Sequence, residues 1–496
     1  MITFGTAGLR GPMRDGPDGM NVGNVLRATW AVARVLTDRG VGGSTVVVGR
    51  DARHQSDDFA LAAAEVLAAQ GFPVVLLPDP LPTPVVAFAV RHLHAAAGVQ
   101  ITASHNPAGD NGYKVYFDGG MQIISPTDRE IEAAMLQAPQ VIAREPVQPT
   151  DTDLVELYLD RAASVRRGDK PVRVALTPLH GVGGTVAVEV LRRAGITDVH
   201  TVAAQFWPDP DFPTVAFPNP EEPGATDALL ALAADLGADV AIALDPDADR
   251  CAVGIPTESG WRMLSGDETG WLLGDYVLSR PTEGAVVAST VVSSRMLGKI
   301  AAANGARHVE TLTGFKWLAR ADADLPGHRL VYAYEEAIGH CVDPSAVRDK
   351  DGVSATVLIC DLVAELKAQG QSVPQALDEL ALRHGVHVTA AATERVDDAA
   401  AVMRRLRSEP PTRLAGFDVA VTDLLERPDP GRTDALILTG DLVRVAIRPS
   451  GTEPKIKGYI EIALPVGEPR DRAEHLLAAV LVDVRGLLAS TPGSLP

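Results

Sequence analysis

What most constrains this chain is a rhythm that runs through it three times. Each time a short strand-like run leads into a helical stretch, then a second strand, then a third strand that ends in a polar loop. The first unit reads TVVVGRD from Thr45, FPVVLL from Phe72 and GVQITASHNP from Gly98. The second reads VRVALTPLHGVGG from Val172, ITDVHTVAA from Ile196 and DVAIALDPDADR from Asp239. The third reads AVVASTVVSS from Ala285, HVETLTGFK from His308 and RLVYAYEEAIGH from Arg329. Strands alternating with helices predict α/β architecture with mixed, largely parallel sheets. The units match in pattern and not in letters, which predicts three similar α/β units. Ligands of parallel α/β sheets bind beyond the carboxyl ends of the strands. The loops SHNP, DPDADR and EEAIGH are therefore expected to wall one central cleft.

Residues 138–153 are rich in Pro and polar side chains and read as a linker. Further breaks fall near residues 256–261 and 370–374. From about Gly385 the pattern changes to short strands followed by a helix over Arg470–Leu488, which predicts a smaller α+β domain. The expected division is four domains, at 1–148, 149–258, 259–380 and 381–496. A net charge of −19 excludes a general nucleic-acid binder but leaves room for a local basic pocket. Aromatics are only 4%, which argues against a stacking platform for bases. Cys251, Cys341 and Cys360 form no CxxC, so a zinc ribbon or thioredoxin motif is excluded and a reducing compartment fits. No basic-then-apolar leader and no run of about 20 apolar residues occurs. The expectation is a cytoplasmic protein without membrane or nucleic-acid partners, its oligomeric state open.

The polar loops carry the chemistry. Asp245, Asp247 and Asp249 alternate after an apolar run and can aim oxygens at one hard cation such as Mg²⁺. A solvated acidic turn is the plain alternative. An EF-hand fails, because its Gly and Glu positions hold Arg250 and Pro256. Ser104, in TASHNP, can carry a phosphoryl group if its neighbours stabilise the charge, or simply cap a turn; the GxSxG of a hydrolase is missing. Asn111-Gly112 is a tight-turn dipeptide, and Lys114 beyond it is either a proton carrier or a surface lysine. Arg448-Pro-Ser-Gly-Thr-Glu-Pro-Lys455 offers an anion-binding nest with a planar guanidinium, although it lacks P-loop spacing. Glu336 could receive sugar hydroxyls. Arg10 is the chemical candidate in a glycine-rich N-terminal loop.

Taken in order, FGTAGLRG, TASHNP, NGYK, DPDADR, TGFK, EEAIGH and RPSGTEPK resemble the α-D-phosphohexomutase superfamily, from Phe4 to Lys455. The GTAGLRG and EEAIG variants look most like its phosphoglucomutase-2-type, phosphopentomutase and actinobacterial-style phosphomannomutase branch. The resemblance implies a four-domain protein with a central active site. It implies that Ser104 carries the phosphoryl group, and that Asp245, Asp247 and Asp249 hold Mg²⁺ with a phosphoserine oxygen from Ser104. Arg10, Lys114 and Arg250 would steady the transferring group, with Lys114 a candidate acid/base and His105 beside it. Thr313, Gly314, Lys316, Glu336 and His340 would bind the sugar. Arg448, Ser450, Gly451 and Thr452 would hold the phosphate that does not react. The implied reaction interconverts hexose 1-phosphate and 6-phosphate, for glucose and/or mannose, through a 1,6-bisphosphate, with glucose 1,6-bisphosphate or its counterpart as activator.

One departure matters. Many hexomutases read E-x-S-G-H in the sugar loop, and here Ile338 stands where the serine is common. The nearest rival is a phosphopentomutase acting on ribose or deoxyribose phosphates. A metal-dependent phosphatase would need an N-terminal aspartate nucleophile that the chain does not offer. A sugar-phosphate sensor would have no use for Ser104, the aspartates and Lys114 together.

Overall fold

The computed structural model describes residues 2–5, 8–429, 431–450 and 455–489. Its first three sheets repeat one strand order. In the first, strand Val46–Arg50 is central and parallel to both Val74–Leu76 and Ala97–Ile101. In the second, Val174–Thr177 is flanked in parallel by Val199–Thr201 and Val240–Leu244. In the third, Ala285–Thr290 is flanked by Arg307–Thr311 and Arg329–Glu335. Each third strand then gives way to a polar loop and an antiparallel return strand: Asp110–Phe117, Cys251–Thr257 and Gly339–Cys341. The central strands are apolar on both faces because helices cover both sides. Val46, Val47 and Val48 are all fully buried.

The polar loops leave their strands at equivalent places, so the repeat brings them together. Each also holds one non-glycine residue in the left-handed region: Ser104 at φ 53°, Ala248 at 52° and Ile338 at 53°. Such residues cost on the order of 1–3 kcal/mol each and persist where the surroundings over-determine them.

The fourth sheet is antiparallel throughout, in the order Val386–Arg395, Lys455–Leu464, Val443–Pro449, Leu436–Thr439, Ala420–Asp423. Helices Ala399–Ser408 and Arg470–Leu488 accompany it. The protein is thus three α/β units plus a C-terminal α+β domain. One apolar core runs through all three α/β units, from Val47 through Val174 and Val287 to Leu380, and the C-terminal domain has its own. Among the described residues, no helix is long and apolar enough to cross a membrane.

Two local expectations change. Asn111-Gly112 makes no turn; it lies inside strand Asp110–Phe117. Gly112 is needed there because a Cβ would collide with the Thr102 carbonyl oxygen. The N-terminal motif is also more than a loop. Leu9–Pro12 is a strand that pairs Arg10 with Gly112, delivering Arg10 to the serine loop.

Candidate active site

A cleft of about 660 Å³ is lined from all four domains. Its floor is the meeting of the serine and aspartate loops. Ser104 Oγ donates to Asp245 Oδ2 at 2.9 Å and lies 3.2 Å from His105 Nδ1. Burial, reinforced by the Arg250 and Arg10 guanidinium groups, pushes the His105 pKa well below its usual value, so the ring is neutral. The unusual backbone of Ser104 is tied down on both sides. Its N–H donates to Thr102 Oγ1 at 2.8 Å, and its carbonyl accepts from Arg53 Nη2 at 2.7 Å. Arg53 also donates to the carbonyls of Asn106 (2.5 Å), Pro107 (2.8 Å) and Asp110 (3.2 Å).

Asp245, Asp247 and Asp249 are fully buried, and one oxygen from each lies within 4.8 Å of the others. Lys114 Nζ donates to Asp247 Oδ2 at 2.7 Å and Asp249 Oδ2 at 2.8 Å. Burial depresses its ammonium, but the two carboxylates outweigh that and leave its pKa raised. Asp247 Oδ1 and Asp249 Oδ1 are buried without a hydrogen-bond partner among the described residues. Converging carboxylates with spare lone pairs fit a hard divalent cation. Gly352 lets the loop pack down, since a Cβ there would collide with the Arg250 carbonyl oxygen.

Arg250 lies among four carboxylates yet pairs closely with none: Asp249 at 3.8 Å, Glu221 at 3.8 Å, Asp245 at 4.0 Å and Glu335 at 4.0 Å. Such a guanidinium keeps donors for an incoming phosphate. Arg10 donates to Asn106 Oδ1 at 3.1 Å, and both line the cleft.

Glu336, also in the cleft lining, accepts at Oε2 from Thr290 Oγ1 and Ser293 Oγ, each at 2.9 Å. Gly266 makes room, as a Cβ would collide with the Glu336 carbonyl oxygen. Thr313 and Gly314 line the cleft, as do Arg448 and Ser450. Gly451 and Thr452 lie outside the described residues.

Two expected sugar ligands are not in the lining. His340 is fully buried behind the cleft, stacked with Tyr332 and Tyr334, its Nδ1 3.1 Å from Tyr332 Oη. Burial pulls its pKa down to about 3. A Cβ at Gly339 would meet Lys350 and Glu335, which line the cleft. Side chains alternate along a strand, so His340 falls on the other face. Lys316 follows cleft-lining Phe315 on the short helix Phe315–Leu318 but does not line the cleft itself. Ile338 likewise turns away and packs with Leu229, Ala233 and Ala252 of the second unit.

Sequence reasoning missed several residues. Lys350 lines the cleft, with Nζ 3.4 Å from Asp249 Oδ2, and its pKa stays raised because Asp249, Asp349 and Glu335 outweigh burial. Glu221, from the second unit, lines it too. Neither sits in a phosphate- or metal-type motif; only tertiary placement marks them. Arg53 follows a strand in GRDAR, and no local signal marks it as a clamp.

Comparisons with known proteins decide the family. The phosphoglucomutase/phosphomannomutase α/β/α domains I, II and III match residues 1–141, 156–258 and 265–383. This chain belongs to the α-D-phosphohexomutase superfamily. As a member it is an isomerase of the phosphotransferring kind, a sugar phosphomutase of a magnesium-dependent family, and it carries the acidic triad. A Haemophilus influenzae protein named probable phosphomannomutase is 38% identical over 484 residues, covering 92% of this chain and 97% of that protein. A Mus musculus phosphopentomutase is 35% identical over 534 residues, covering 96% and 86%. The crystal structure of a phosphomannomutase-type protein from Thermus thermophilus superposes with a TM-score of 0.77 at 26% identity, covering 98% of each chain.

Proposed function

We propose that this phosphomutase interconverts hexose 1-phosphate and hexose 6-phosphate, with glucose and/or mannose as the sugar. The observation that carries the reading is Ser104 Oγ, held 2.9 Å from Asp245 in a cleft that is also lined by Arg448 and Ser450. Phosphoryl transfer needs positioning and charge neutralisation more than covalent novelty, and these residues supply both. Phosphoserine 104 gives its phosphoryl group to the free hydroxyl of the sugar phosphate. The serine P–O bond breaks, a new P–O bond forms, and a 1,6-bisphosphate results. The bisphosphate turns over in the cleft and returns its other phosphoryl group to Ser104.

The neutral His105 can accept the hydroxyl proton, whereas Lys114, kept protonated by Asp247 and Asp249, can only donate one. Arg10 and Arg250 neutralise the transferring phosphoryl oxygens. Glu336, with Thr313 and Gly314, holds the sugar hydroxyls. Arg448 and Ser450 grip the other phosphate. Asp245, Asp247, Asp249 and phosphoserine 104 would hold Mg²⁺, which would supply positive charge at the reacting phosphoryl group. Glucose 1,6-bisphosphate, or the matching bisphosphate, primes the enzyme by phosphorylating Ser104. Three free, buried cysteines suit a reducing compartment, which supports a cytoplasmic location.

A phosphopentomutase is the second reading. It is supported by the 35% identity to the Mus musculus enzyme. The test is Mg²⁺-dependent conversion of α-glucose 1-phosphate, mannose 1-phosphate and ribose 1-phosphate, each primed with bisphosphate, with Ser104→Ala as control. Hexose turnover that vanishes in the variant is expected. Activity on ribose 1-phosphate alone would transfer the enzyme to the second reading.

A further inference from the structure

The C-terminal domain meets the third unit at a six-residue segment, residues 290–295, where strand Ala285–Thr290 ends and the chain turns. On one side this turn holds Glu336, through Thr290 and Ser293, each at 2.9 Å. On the other it holds Glu461 of strand Lys455–Leu464. Glu461 Oε1 accepts from Ser294 Oγ at 2.7 Å and Arg295 N at 2.9 Å, and Oε2 accepts from Arg295 Nε at 2.6 Å. His387, on the neighbouring strand, completes the set with Nδ1 2.7 Å from Oε1. Glu461 is only 4% exposed. Asp267 fixes the turn from behind, accepting from Ser294 N at 2.8 Å. Val291 and Val292 seal the junction against Leu424, Ile437 and Ala446 of the C-terminal domain.

The position of Glu461 along its strand gives this network a functional consequence. Side chains at alternate positions share a face, and Lys457, Tyr459 and Glu461 alternate. Lys457 and Tyr459 line the cleft, and Lys457 is the cross-strand partner of Arg448. The strand that Glu461 anchors therefore carries the wall from which Arg448 reaches the substrate.

We propose that Glu461 is a positioning residue: through the 290–295 turn it fixes the spacing between Glu336, which holds the sugar, and Arg448, which holds the distal phosphate. The proposal rests on the sugar-phosphate reading above. A ligand gripped at both ends gains affinity only if the two grips are pre-set at its own length.

The experiment uses the full chain and two variants, Glu461→Gln and Arg295→Met. Each is measured for KM and kcat with glucose 1-phosphate and for Kd by calorimetry with glucose 1-phosphate as probe. Hydrogen bonds to a charged acceptor are strong enough that Glu461→Gln should raise KM and Kd by about tenfold or more. kcat per folded molecule should fall less, and Glu461→Asp should recover part of the loss. Arg295→Met, at a partly exposed side chain, should move both values in the same direction by a smaller factor. It decides the matter if Glu461→Gln does not fold. A lowered melting temperature with unchanged KM and Kd would overturn the proposal, leaving Glu461 a purely structural residue. If wild-type protein binds glucose 1-phosphate but never turns it over, the mutase reading falls, and the calorimetric comparison still decides the role of Glu461.

Discussion

Replacing Arg53 by Lys should disable phosphoryl transfer without touching any group that meets substrate. The Arg53 guanidinium donates to four backbone carbonyls of the serine loop, at 2.5 to 3.2 Å, and its side chain is 1% exposed. A lysine keeps the charge opposite Asp51, 3.4 Å from Arg53 Nε, but donates from one point instead of a planar fork. At least two of the four bonds must be lost. Bonds from a charged donor contribute about 1.5–3 kcal/mol each, so the loop loses about 3 kcal/mol or more of restraint on Ser104. If that restraint pre-organises the transfer, it corresponds to about a hundredfold in rate. The assay is rapid-quench phosphorylation of Ser104 by glucose 1,6-bisphosphate, with amide exchange over residues 103–110 as the structural readout. Arg53→Lys should transfer about a hundredfold more slowly, with faster exchange confined to that loop. Transfer within about threefold of wild type, despite faster exchange, would refute the link between loop restraint and rate.

Other outcomes follow from the same geometry. Ser104→Ala should abolish turnover while leaving the melting temperature near wild type, because the small hydroxyl contributes side-chain contacts only to Asp245 and the adjacent His105, as calorimetry with activity measurement would show. Glu336→Gln should lower kcat/KM by about tenfold to a hundredfold, since a hydroxyl-binding carboxylate and its bonds to Thr290 and Ser293 are disturbed together. Chelation should remove activity, and added Mg²⁺ should raise the wild-type melting temperature but not that of Asp247→Asn. Burial holds the Asp267 carboxyl up to about 7, so the folded state binds a proton that the unfolded state has released. Stability should therefore fall as pH rises from about 4 to about 7, and Asp267→Asn should flatten that part of a melting-temperature profile.

The threefold repeat of strands, helices and polar loops was legible because these are local signals, whereas the strand order within each sheet was not. The aspartate triad and Ser104 were legible for the same reason, since each motif lies in one loop. Arg53, Glu221, Lys350 and Glu461 were not, because each matters only through partners far away in sequence. His340 misled because it stands beside Gly339 in one motif, whereas neighbours on a strand face opposite ways. Asn111-Gly112 misled because the close approach of the Thr102 carbonyl, rather than a turn, demands the glycine.

The apolar core that passes through all three α/β units has a consequence for how the chain can be divided. The first and third repeats each keep a smaller interior to themselves, the second shares its smaller one with Ile338 of the third, and all three give other apolar surface to the common core. Cutting one repeat out would bare the faces it shares with the other two. The C-terminal sheet encloses its own core and is the segment best suited to be excised and grown as an independent fold. Heated slowly, the molecule should melt in two steps, with the three repeats giving way together.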